Sequence, residues 1–75
     1  MNLYHLVSNS TIRLQCIGNA VVAAASEKAA RRQLSMAAAA EGADFWLNER
    51  KSNCCQIGTA VRGVRAGVIT VDINN

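Results

Sequence analysis

The chain predicts a small α+β domain in which one main helix lies on a mainly antiparallel sheet of three to four strands, in the order β-β-α-β-short α-β. Three observations predict it. The stretch from Ser26 to Gly42 is rich in alanine and arginine and is bracketed by residues that cap helices. The segments on either side of it, Leu3 to Ser8 and Val68 to Ile73, alternate side chains with the period of a strand. Turn-forming residues, Asn9-Ser10, Gly58 and Gly63 to Gly67, punctuate the rest.

The first strand runs from Leu3 to Ser8 and stops at Asn9-Ser10. Thr11 to Ala25 carries Ile12, Leu14, Ile17, Val21 and Val22, interrupted by Gly18-Asn19. That pattern suits a returning strand, bulged or bent near Gly18, that pairs antiparallel with the first. Ser26 is the expected N-cap of the helix, Glu27 sits where the helix dipole favours an anion, and Gly42 is the expected residue past its end. Ala30, Leu34, Ala37 and Ala38 form the sheet-facing stripe, with Lys28, Arg31, Arg32 and Ser35 elsewhere. Ala43 to Asn48, holding Phe45, Trp46 and Leu47, reads as a third strand leading to an exposed Glu49-Arg50-Lys51 turn. Ser52 resembles a second N-cap, and Asn53 to Ile57 reads as a single helical turn ended by Gly58. After the glycine loop Arg62 to Gly67, the closing strand turns Ile69, Val71 and Ile73 to one buried face.

Residues 1–75 form one domain, since there is no proline, no linker composition and no internal repeat. A chain this short removes only about 60% of its unfolded surface from water. Its aromatic residues are Tyr4, Phe45 and Trp46, so the core is thin and a homodimer is expected, with the closing strand presenting an open edge. An odd cysteine count (Cys16, Cys54, Cys55) argues against a disulfide framework. The amino terminus carries no export signal, and the apolar run Ala20 to Ala25 is far below the roughly 20 residues that span a bilayer. The expected location is cytoplasmic, with no membrane partner and no use of the Asn9-Ser10-Thr11 sequon.

His5 and the three cysteines formally offer four zinc ligands, but the spacing lacks the C-x-x-C pairs that aim two thiolates at one ion. No metal and no cofactor are expected. Of Cys54 and Cys55, one is expected to pack inward and the other to be partly exposed. A cysteine nucleophile needs a base, and nothing in the sequence places His5 nearby. Glu27, Glu41, Asp44, Glu49 and Asp72 are scattered over caps, turns and strand ends, and the glycines match no phosphate-binding motif. The expectation is a protein that is not an enzyme.

The formal charge of +3 and pI near 9.1 favour anionic partners. Candidate binding residues fall in three groups: Lys28, Arg31 and Arg32 on the helix, Arg50 and Lys51 in the turn, and Arg62 and Arg65 in the glycine loop. Trp46, with little to pack against in so thin a core, joins them. If the groups converge they make an anion-binding surface.

The opening strand Leu3-Tyr4-His5-Leu6-Val7, the Val21 to Glu27 entry into an Ala/Arg-rich helix, Trp46-Leu47, and Cys55-Gln56-Ile57-Gly58-Thr59-Ala60 ahead of Gly67-Val68-Ile69 span most of the chain. In these the chain resembles small phage and prophage accessory proteins, the compact α+β anti-defence inhibitors of the anti-CRISPR type. The resemblance implies a viral, phage-encoded inhibitor that blocks a host protein or ribonucleoprotein complex by protein binding, in the host cytoplasm. The long acidic surfaces of DNA-mimicking inhibitors are missing. The alternatives are a small basic nucleic-acid-binding module and, last, an enzyme built on reactive vicinal cysteines.

Overall fold

A computed structural model describes residues 1–9, 17–38 and 43–73. The elements are β1 (Asn2–Ser8), β2 (Ile17–Ala24), α1 (Glu27–Ala37), α2 (Ala43–Leu47), β3 (Ser52–Thr59) and β4 (Gly67–Ile73). The strands form one four-stranded sheet in the order β3-β1-β2-β4, with every neighbouring pair antiparallel. The small α+β domain that the alternation and the caps predict is therefore present.

Antiparallel register sets which side chains share a face, because directly opposed residues point the same way. Tyr4 lies opposite Val22 on one side and Gln56 on the other, and Leu6 lies between Ala20 and Cys54. Tyr4, Leu6, Ala20, Val22 and Ala24 are buried together with Ala30 and Leu34 of α1, with Ala38 at its C-cap, and with Phe45 and Trp46 of α2. The alanines on both sides let the helix lie close to the sheet, and Leu34, fully buried, fills the gap between them. The Phe45 and Trp46 rings meet edge to face, with centroids 5.0 Å apart and planes at 86°.

Ser26 caps α1 as its position suggests: its backbone is extended, and its Oγ accepts a hydrogen bond from the Ala29 amide at 3.2 Å. The helix closes at Ala38, whose amide donates to the Leu34 carbonyl. The expected terminator Gly42 lies outside the described residues, as do residues 11–16 of the long second-strand segment. Gly18 does mark an irregularity, since the pairing of β2 with β4 slips between Ile17 and Asn19.

Three expectations are corrected. Ala43 to Leu47 is a helix and Ser52 to Thr59 a strand, the reverse of the local reading. The helix face is wider on one flank than alanine spacing suggested, because Arg31 and Ser35 are buried and Ala37 is exposed. In β4 a bulge interrupts the expected alternation, so that Val71 keeps the core-facing side opposite the buried Ala20 while Val68, expected on the other face, joins it. The pairing of β4 with β2 steps from Val22 opposite Val68 to Val21 opposite Thr70, leaving Ile69 as the extra residue of a bulge. Val68 packs on the core, while Ile69 and Val71 are 53% and 40% exposed.

Candidate functional site

Arg31 lies on the second turn of α1, on the buried flank next to Leu34 and Ser35. Its Nε donates to Glu27 Oε2 at 3.0 Å, one helical turn back. Its Nη1 donates to the Trp46 carbonyl at 3.1 Å and to Ser52 Oγ at 2.8 Å, and its Nη2 to the Ser52 carbonyl at 3.1 Å. One planar guanidinium thus ties α1 to the end of α2 and to the first residue of β3, using donors that a lysine does not have. Ser52, expected to cap a helix, is instead a fully buried partner of this arginine.

Outside this tie lies an open cleft of about 500 Å³, lined by Glu27, Lys28, Arg31, Leu47 and Glu49. Leu47 is 45% exposed there, beside carboxylates and a lysine. The cleft presents both signs of charge around an apolar side chain.

The structure brings together some of the basic residues and separates others. Lys28 and Arg32 are exposed on α1, and Arg50 and Lys51 are exposed in the turn between α2 and β3. That turn is built by Asn48, whose carbonyl accepts from the Lys51 and Ser52 amides and whose Oδ1 accepts from the Arg50 amide. Arg62 and Arg65 are exposed in the loop beyond β3, where the Ala60 amide donates to the Met1 carbonyl. The turn and the loop lie at opposite ends of the eight residues of β3, so the two groups stand roughly 23 Å apart at a strand's rise per residue. The three groups do not form one patch.

Two candidate contacts are withdrawn from the surface. Arg31 is only 5% exposed, held by the hydrogen bonds above, and Trp46 is fully buried against Phe45 under α1. The thin core does give Trp46 something to pack against, because α2 folds over the sheet and carries the ring with it. Its Nε1 is buried with no hydrogen-bond partner among the described residues.

The cysteine pair divides between the faces of the sheet, as adjacent strand residues must. Cys54 packs against the core, and burial, with Glu27 and Cys55 adding to it and Arg31 opposing, pushes its thiol up to about 11. Cys55 is exposed on the face away from the helices, and its Sγ donates to the Gln56 carbonyl at 3.7 Å. Contrary to the sequence reading, His5 is placed beside a cysteine: the β1–β3 register sets it directly opposite Cys55. Its Nε2 lies 3.4 Å from Asn19 Oδ1, and Asn19 Nδ2 donates to Asp72 Oδ2 at 3.4 Å. Among the described residues no three histidine, cysteine, aspartate or glutamate side chains gather as metal ligands, and no helix is long and apolar enough to cross a membrane.

No protein-family model, curated protein or solved structure matches the chain. The functional reading therefore rests on the cleft and the charges around it.

The signal for the Arg31 tie was in the sequence. Arg31, Leu34, Ser35 and Ala38 have the i, i+3, i+4, i+7 spacing of a buried stripe, and Glu27 precedes Arg31 by four. The cleft had no such signal, since Leu47 and Glu49 reach it only because α2 is a helix.

Proposed function

We propose that the chain is a non-enzymatic binding protein of phage or mobile-element type, which blocks a host defence complex in the anti-CRISPR manner by protein–protein contact through the cleft between α1 and α2. The observation that supports this reading is the mixture of charges. Glu27 and Glu49 share the cleft with Lys28 around the exposed Leu47, an arrangement that suits a protein segment offering an apolar side chain flanked by both signs of charge. A polyanion is disfavoured at the same spot, because the two carboxylates repel phosphates and Arg62 and Arg65 stand at the far end of β3. The partner is a host protein, or the protein part of a ribonucleoprotein complex. The resemblance of the sequence to compact anti-defence inhibitors supplies the class.

The test is interference in a bacterial host whose CRISPR system targets a phage. Expressing the chain is expected to restore plaque formation and to co-purify the chain with the interference complex. Lys28→Glu combined with Leu47→Ala is expected to abolish both effects, and Arg62→Ala with Arg65→Ala to leave them nearly intact. Restoration that survives loss of Lys28 and Leu47 would remove the cleft from the reading. Tight binding to duplex or single-stranded DNA or RNA at physiological salt, falling steeply as salt rises, would replace it with the nucleic-acid alternative.

A further inference from the structure

Independently of that reading, we propose that Cys55 is a nucleophilic thiol with His5 as its base, which forms mixed disulfides with low-molecular-weight disulfides on the open face of the sheet. The register assembles this site from all four strands. His5 of β1 lies directly opposite Cys55 of β3, and Asn19 of β2 lies directly opposite Asp72 of β4. Leu6 and Ala20 are opposed and buried, so their neighbours His5 and Asn19 both point to the other face. The two helices pack on the Leu6 face, which leaves Cys55 and Asp72 exposed and His5 and Asn19 half-buried.

Hydrogen bonds fix the roles along this row. Asn19 Nδ2 donates to Asp72 Oδ2 at 3.4 Å, and a carboxylate only accepts. The amide therefore turns its Oδ1 to His5, and His5 Nε2 carries the proton that it donates across 3.4 Å. Nδ1 is then the basic nitrogen of the neutral ring. Directly opposed residues hold their Cβ atoms about 5 Å apart, a span within which a cysteine Sγ and an imidazole Nδ1 meet. Cys55 Sγ rests against the Gln56 carbonyl at 3.7 Å, a weak contact that an exposed side chain exchanges by rotation about χ1. The other titratable side chains of the described strands, Tyr4 and Cys54, pack on the helix face, so His5 and Asp72 are the titratable groups that share the face of Cys55. In the reaction His5 Nδ1 takes the thiol proton and the thiolate attacks one sulfur of the disulfide. A new S–S bond forms as the old one breaks, and the departing thiolate takes the proton back from the imidazolium. One disulfide is made for each one broken, so no further oxidant is needed.

The test treats the reduced full chain with oxidised glutathione and follows the products by intact mass and peptide mapping. One glutathionyl group is expected at Cys55 and none at Cys54, and reductant should remove it. Near neutral pH the rate is expected to fall about tenfold or more in His5→Gln. It should fall by less in Asn19→Ala, which keeps the base but frees the ring. The wild-type rate should rise through a shoulder near about pH 6.5, where an imidazole loses its proton, before the thiol itself ionises near about 8.5. His5→Gln should lack that shoulder. A histidine with a merely structural role would not produce it, and the wild type shows it without any variant having to fold. A rate indifferent to His5→Gln, a wild-type profile that follows the thiol alone, or modification confined to Cys54 would each overturn the proposal.

Discussion

Arg31 is the residue on which most of the architecture converges. A buried guanidinium is tolerated where its N–H groups have acceptors and a carboxylate is near, and here Glu27, Ser52 and the Trp46 carbonyl provide them. Arg31→Ala leaves those acceptors unmatched and is expected to cost about 3 kcal/mol or more in urea denaturation. Arg31→Lys should recover little, because an ammonium cannot fork between two helices and a strand. Glu27→Gln should lose under about 1 kcal/mol, since its carboxylate is half exposed. Cys54 makes a second residue-level prediction. Its thiol, raised from about 9 to about 11, is favoured in the protonated form by the fold. Its contribution is complete below the unfolded value and lost as pH rises through the folded one. Wild-type stability should therefore fall more steeply between about pH 9 and 11 than that of Cys54→Ala. Peptide mapping after brief alkylation near neutral pH should find Cys55 labelled well before Cys54.

Among the elements, α1 joins the two layers. Its cap and its one large aliphatic inward side chain follow from local chemistry. Ser26→Ala is expected to cost about 1 kcal/mol, and Leu34→Ala roughly 2–5 kcal/mol, both read as shifts of the denaturation midpoint. A loss below about 0.5 kcal/mol at Leu34 would contradict its burial. The exchange of α2 and β3 lies at the same scale. Phe45-Trp46-Leu47 has strand-forming side chains, and five residues are too few to display a helical period, so propensity misleads. Asn53 to Ile57 lacks the alternation of a half-buried strand because much of β3 is exposed. It is a strand because the free edge of β1 offers a ladder from Ser8 down to Asn2.

For the whole molecule, Cys54 and Cys55 point to opposite faces and so share neither a disulfide nor an ion. Chelator and reductant are each expected to leave Tm unchanged, and a drop of many degrees with either would contradict that. The separation of the cations sets the expectation for an alanine scan. Losses in partner affinity should be unequal, large at Lys28 and small at Arg62 and Arg65, as when a few residues dominate an interface. Uniform losses, each reducing the salt slope by about one, would mark phosphate contacts.

By itself the sequence determined the class of fold, the cap at Ser26, the inward Leu34, the break at Gly18 and the division of the cysteine pair. Each depends on neighbours within a few positions, where spacing alone says which way a side chain points. Only the tertiary structure decided the strand order, the identities of α2 and β3, the partners of Arg31 on α2 and β3, the burial of Trp46, the setting of His5 opposite Cys55, and the cleft. These depend on residues such as Glu27 with Glu49, or Arg31 with Ser52, that lie some twenty positions apart. Which distant segments meet is set by the competition for the edges of β1 and β2 and by the one apolar face that the helices can cover. No local pattern encodes the outcome of that competition.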